Sequence, residues 1–155
     1  MQTPTARNPF WGFLGRFTLV HVVTYFVFGV VFSLLMGYAE HFASPPMNSL
    51  MRSFDSPWVR AGVLFQFIRG PVLALPLFPF RKVIIEGKWG WVKLWSLLWV
   101  LTAIGAVSLG TIEGLIYTKL PLKFHLIGLP EVTMQTLAFS WLFITWERRA
   151  EKKSR

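Results

Sequence analysis

The 155-residue chain has no cysteine, which excludes a disulfide framework, a thiolate metal site and a cysteine nucleophile. Histidine is nearly as scarce: with only His21, His41 and His125, any imidazole metal centre would be small. Charge is the next shortage. Charged residues make up 15% of the chain, against about 25% in soluble domains that must keep their surface wet. Acids are the scarcer sign, 7 Asp plus Glu against 16 Lys plus Arg. HExxH, paired-aspartate and GxSxG patterns are all missing, so no metal-ligand or nucleophile motif is in sight.

What the chain does have is hydrophobic length, with 54% hydrophobic residues, and this excludes a disordered polymer. Residues 17–39 contain no Asp, Glu, Lys or Arg. As a helix they would measure ~34 Å, enough for a hydrocarbon core of ~30 Å. A second apolar run, 61–80, is interrupted by Arg69 alone. A third, 94–112, continues past Glu113 to Thr118, and a fourth, 132–146, is the shortest. The pattern predicts an all-α, polytopic integral membrane protein, a bundle of four transmembrane helices at about 17–39, 59–80, 91–118 and 130–146. A tail at 1–16 and a basic tail at 147–155 flank one membrane domain. The first run exceeds the length of a signal-peptide core and is expected to be a retained helix. The short fourth run leaves a re-entrant segment as a second reading.

The distribution of basic residues predicts orientation. With the N-terminus inside, Arg7, Arg16, Arg81, Lys82, Lys88, Lys93, Arg148, Arg149, Lys152, Lys153 and Arg155 all flank spans on the cytoplasmic side. Arg52, Arg60, Lys119 and Lys123 fall outside, and Arg69 lies within the membrane. Both termini are therefore expected in the cytoplasm, with a bacterial inner membrane as the plainest setting. The net +9 becomes a topology signal, and nucleic-acid binding is not expected.

Small residues four apart, Gly29, Ser33 and Gly37 in the first helix and Thr102, Ala106, Gly110 and Gly114 in the third, suggest close helix packing or homodimerisation. Trp91, Trp95 and Trp99 share a helix face and read as a lipid-facing or inter-subunit stripe. His21 reads as an interfacial or helix-packing residue.

Arg69 is the most informative position. An ionised side chain inside a span is costly and calls for a partner or a wet cavity. Gly70-Pro71 follows it, and proline both lacks an amide hydrogen and clashes with the carbonyl of Phe67, so a weakened, kinked helix is expected beside the guanidinium. Glu113 is the expected partner. An outward-facing polar pocket can be assembled from Arg69, Glu113, Glu40, His41, His125, Glu131 and Tyr117. The leading expectation is a non-enzymatic protein that binds or moves a small anionic molecule or a lipid headgroup. Arg69 would be the anion partner, with Glu113 and Glu40 as counter-charges. Two alternatives stand beside it: an accessory subunit of a larger membrane complex, and an intramembrane enzyme using the outer Glu and His residues.

Overall fold

The computed structural model describes residues 9–104 and 111–154, and for residues 104, 112–114 and 154 the backbone alone. Helices follow in the order α1 (Pro9–Leu35), α2 (Tyr38–Ala43), α3 (Pro57–Arg60), α4 (Gly62–Leu77), α5 (Arg81–Ile85), α6 (Gly90–Ile104), α7 (Ile112–Tyr117), α8 (Leu122–Leu126) and α9 (Leu129–Ser154). Short 3-10 turns occupy Met47–Ser49 and Phe78–Phe80. All regular structure among the described residues is helical. Three segments, Pro9–Leu35, Gly62–Ile85 and Leu122–Lys153, are long and apolar enough to cross a membrane, and Gly90–Ala103 is a shorter apolar helix.

Helix boundaries follow local chemistry. α1 is described from Pro9, so it reaches at least eight residues before the expected start. It ends four residues early because Gly37 adopts φ 61°, the left-handed conformation that glycine enters without a Cβ penalty. Gly37 is thus a turn residue rather than the last member of a packing stripe. α3 begins with Pro57 at its first position, where a missing amide is harmless, although the Ser56 hydroxyl caps nothing. α4 carries Pro71 and Pro76 within one continuous helix, so the weakening expected at Gly70-Pro71 does not interrupt it.

The short fourth run belongs to a long helix. The last helix, expected at 130–146, runs for 26 residues, because Glu147 and Arg148 are held inside the fold and keep it helical. The third apolar run is helical over Gly90–Ile104 and again over Ile112–Tyr117. Ala106 and Gly110 of its small-residue stripe lie outside the described residues.

α1 packs against α4 and α9, and α6 packs against α9. Cross-helix contacts set the register. Phe13 meets Phe143, Phe17 meets Phe139, and Gly29 faces Glu131, so α1 and α9 are antiparallel. Phe13 meets Phe78 and His21 meets Gln66, making α4 antiparallel to α1 as well. Trp99 donates to Thr133 Oγ1 at 2.8 Å, and Gly90 lies beside Arg148, which runs α6 against α9. The tryptophan stripe therefore turns inward: Trp91 packs on the core, Trp99 bonds α9, and the Trp95 indole nitrogen is buried.

The core sits at the end of the bundle nearest the chain termini. Phe13, Phe17, Phe139, Phe143, Ile84, Ile85 and Leu94 are buried there together. Phe17 packs edge-on against Phe139 and Phe143, with ring centroids 4.8 and 5.1 Å away. Two polar devices close this end. Arg16 and Glu147 form an ion pair between α1 and α9, with Glu147 only 2% exposed. Arg148 donates from Nε to the Ile85 carbonyl at 2.8 Å and from its terminal nitrogen to Gly87, clamping the α5–α6 turn to α9.

Tight backbone approaches occur at two glycines outside the expected stripes. A Cβ on Gly70 would stand 3.0 Å from the Thr18 Cα, so α4 crosses α1 there. A Cβ on Gly90 would stand 1.7 Å from the Ile84 carbonyl oxygen, leaving no room for any side chain.

Candidate functional site

Towards the opposite end the bundle is hollow. Beyond Phe17 and Phe139 the helices enclose a cavity of about 360 Å³, within the range of small-molecule sites. α1 and α9 form its back, α4 and α6 flank it, and the segments at 38–51 and 124–129 cover its far end. That cover is a small cluster of its own. Tyr38 stacks on Phe42, and Phe42 packs on Phe54 with ring centroids 5.2 Å apart. His41 stands edge-on to the buried Phe124, and Met47 is buried beneath.

Arg69 lies on the cavity wall, exposed, with no ion pair among the described residues. It shares the cavity lining with His21. His21 is buried and fixed by α4: its Nε2 lies 3.1 Å from Gln66 Oε1, while Gln66 Nε2 donates to the Gly62 carbonyl at 3.0 Å. Because the amide nitrogen is committed to Gly62, its oxygen must face the ring. The neutral imidazole therefore carries its proton on Nε2 and offers Nδ1 as an acceptor.

At the covered end Glu131, half-buried, lines the same cavity. Its Oε1 lies 3.9 Å from where a Cβ on Gly29 would stand, so the carboxylate rests against α1. Tyr38 donates to the Ile127 carbonyl at 3.3 Å and also interacts with the Glu131 carboxylate. Burial first, and Glu131 second, hold the Tyr38 phenol well above its ordinary pKa.

The middle of the cavity is more apolar than its residue types suggest. Thr24, Thr102 and Thr136 line it, but each hydroxyl donates to the carbonyl four residues earlier in its own helix, at 2.7 to 2.8 Å. Their donors are spent on the helix, so they present mainly methyl groups, beside Leu98, Ala103 and Val132. Tyr25 and Gln135 supply the remaining polar atoms.

Of the residues nominated from sequence, Arg69, His41 and Glu131 are brought together on this cavity. Glu40 is exposed, its carboxylate turned back over Gly37, and Tyr117 is 74% exposed. His125 is 3% exposed and lies near the Thr118 hydroxyl, Nε2 to Oγ1 3.3 Å, away from the cavity lining. The Glu113 side chain lies outside the described residues, and with it the expected Arg69–Glu113 pair. Cavity residues missed were His21, Thr24, Tyr25, Gln135 and Thr136, with Gln66 behind His21. A signal for several was present: His21 with Tyr25, and Glu131 with Gln135, are polar residues one helical turn apart in otherwise apolar runs. Among the described residues no cluster of three or more His, Asp or Glu side chains could hold a metal ion.

Apolar helices of spanning length around a cavity that carries an arginine and a glutamate define a helical protein with candidate transmembrane helices. No family model, curated protein or solved structure matches the chain.

Proposed function

We propose that the chain is a four-helix integral membrane protein, with both termini in the cytoplasm, that binds a small anionic molecule in this cavity, possession of which is the first step of any movement across the membrane. The apolar run expected at 91–118, to which α6 belongs, completes the four spans beside the three long helices. Arg69 is the anion partner. The observation that carries this reading is the placement of Arg69: a guanidinium on the wall of a cavity between apolar helices, with no carboxylate against it among the described residues. A cation in such a place favours occupancy by a counter-ion, because desolvation strengthens the attraction that water would screen. The basic residues around the α5–α6 turn and at the end of α9 support the orientation.

Binding of octanoate and inorganic phosphate to the purified chain, read as a rise in unfolding temperature, tests the proposal. Arg69→Gln should lower affinity for the bound anion roughly 10- to 100-fold, the worth of a charge-assisted hydrogen bond. Arg69→Lys should fall between, having lost the planar fork but kept the charge. Loss of folded protein in Arg69→Lys, with no anion stabilising the wild type, would make Arg69 a structural residue and remove the proposal.

A further inference from the structure

The cavity holds two opposite charges that do not meet. Arg69 and Glu131 both line it, yet neither forms an ion pair among the described residues. Their separation can be read along α1. Gly70, next to Arg69, crosses α1 at Thr18, whereas the Glu131 carboxylate rests against Gly29. Those levels differ by ~16 Å of helix at ~1.5 Å per residue. Part of this is recovered by the Arg69 side chain, since helical side chains lean towards the N-terminus of their helix, and the N-terminus of α4 is at the covered end. That reach carries the guanidinium towards the level of His21, which lines the same cavity. From the level of His21 to that of Gly29 there remain ~12 Å.

A simple anion at Arg69 would satisfy one end of this cavity and leave the Glu131 carboxylate facing it with nothing to neutralise. A simple cation would do the reverse. A molecule carrying both charges satisfies both ends, and the methyl-lined middle accommodates an uncharged connecting segment. We infer that the ligand is an elongated zwitterion, its anionic group on Arg69 at the deep end, its cationic group on Glu131 at the covered end, and the charges on the order of 10 Å apart. The inference rests on the reading of the cavity as a ligand site and adds the chemistry of the occupant. A phosphocholine or phosphoethanolamine headgroup carries both charges but holds them too close together to reach both residues.

Isothermal titration of the full chain in lipid nanodiscs, with empty discs as blank, tests this using four probes of equal chain length. These are ω-aminooctanoate, whose charges stand about 10 Å apart when extended, octanoate, octylammonium and octanedioate. ω-Aminooctanoate should bind at least about tenfold more tightly than octanoate, and octanedioate most weakly, because its second carboxylate meets Glu131. Glu131→Gln should abolish the advantage of ω-aminooctanoate while leaving octanoate binding intact. Octanoate binding as tightly as ω-aminooctanoate, in a wild-type protein that needs no substitution to be tested, would overturn the zwitterion and leave the anion cavity standing. Absence of binding by every carboxylate would overturn the cavity reading and the zwitterion with it.

Discussion

The two ends of this bundle are built from similar residues and solve opposite problems. At the end near the termini an arginine–glutamate pair between helices, Arg16 and Glu147, is closed, and the space above it is filled by interlocked phenylalanines. At the other end Arg69 and Glu131 stand apart across a cavity, and the threonines around them bond to their own helices. The same two charge types are structural where they touch and available where they do not. Distance decides the difference, since a buried charge is tolerated only when neutralised by a neighbour or by something that enters.

Breaking the closed pair should therefore have the largest effect on folding. Glu147→Ala leaves the Arg16 guanidinium, 22% exposed, without its partner, and a loss of about 3–5 kcal/mol is expected, read as a fall in thermal unfolding temperature in detergent. Replacing both residues by leucine should recover much of that loss, since well-packed apolar groups can substitute for a buried pair. A Glu147→Ala protein as stable as wild type would show the two ends to be alike after all. Substitutions at Arg69 and Glu131 should leave stability near that of wild type and change binding instead.

The sequence made the four apolar segments, their approximate order and the singularity of Arg69 legible, because hydrophobic length and missing charge are local properties. It also marked Glu131 and His41 for the site. Pairing was not legible. Arg16 and Glu147 looked like ordinary flanking charges, since nothing local says that α1 extends to Pro9 or that α9 extends to Ser154. His21 looked interfacial for the same reason. With α1 reaching back at least to Pro9, it lies no less than about three turns into the helix rather than one. The tryptophan stripe had an unmistakable period, but a period names a face and not what it faces. The side that Trp99 presents to Thr133 became known only from the packing of α6 on α9.

The boundary between the two ends lies where α4 crosses α1. Gly70 allows that crossing because any Cβ would meet Thr18 at 3.0 Å on backbone and side chain alike. Gly70→Ala should push α4 away from α1, costing about 1–3 kcal/mol as overpacking, less than loss of the Arg16–Glu147 pair. The displacement also shifts Arg69, the neighbouring residue. Affinity for the bound anion should fall together with stability, whereas Arg69→Gln lowers affinity alone. A Gly70→Ala protein with unchanged stability and binding would mean that the crossing at Thr18 is looser than the contact distance requires.

Apart from the cavity charges, the smallest expected effect on stability belongs to the cover. Tyr38→Phe removes one phenol hydrogen bond to the Ile127 carbonyl, for which about 0.5–1.5 kcal/mol is expected. Its signature is clearer in pH. Burial and Glu131 raise the Tyr38 pKa above the ordinary value of 10.0, so the folded chain favours the neutral phenol. The unfolded chain ionises first as pH rises through about 10, and from there the contribution of Tyr38 to stability declines towards its folded pKa. Below pH 10 that contribution is fully present. Ultraviolet absorbance in alkali should therefore show a late tyrosine step that vanishes in Tyr38→Phe. If ω-aminooctanoate binds at Glu131, its ammonium draws the carboxylate's charge away from Tyr38, and the lag should shorten when the cavity is filled. A lag that persists in Tyr38→Phe would place the slow tyrosine elsewhere, and the covered end would then be as open to water as the cavity is to its ligand.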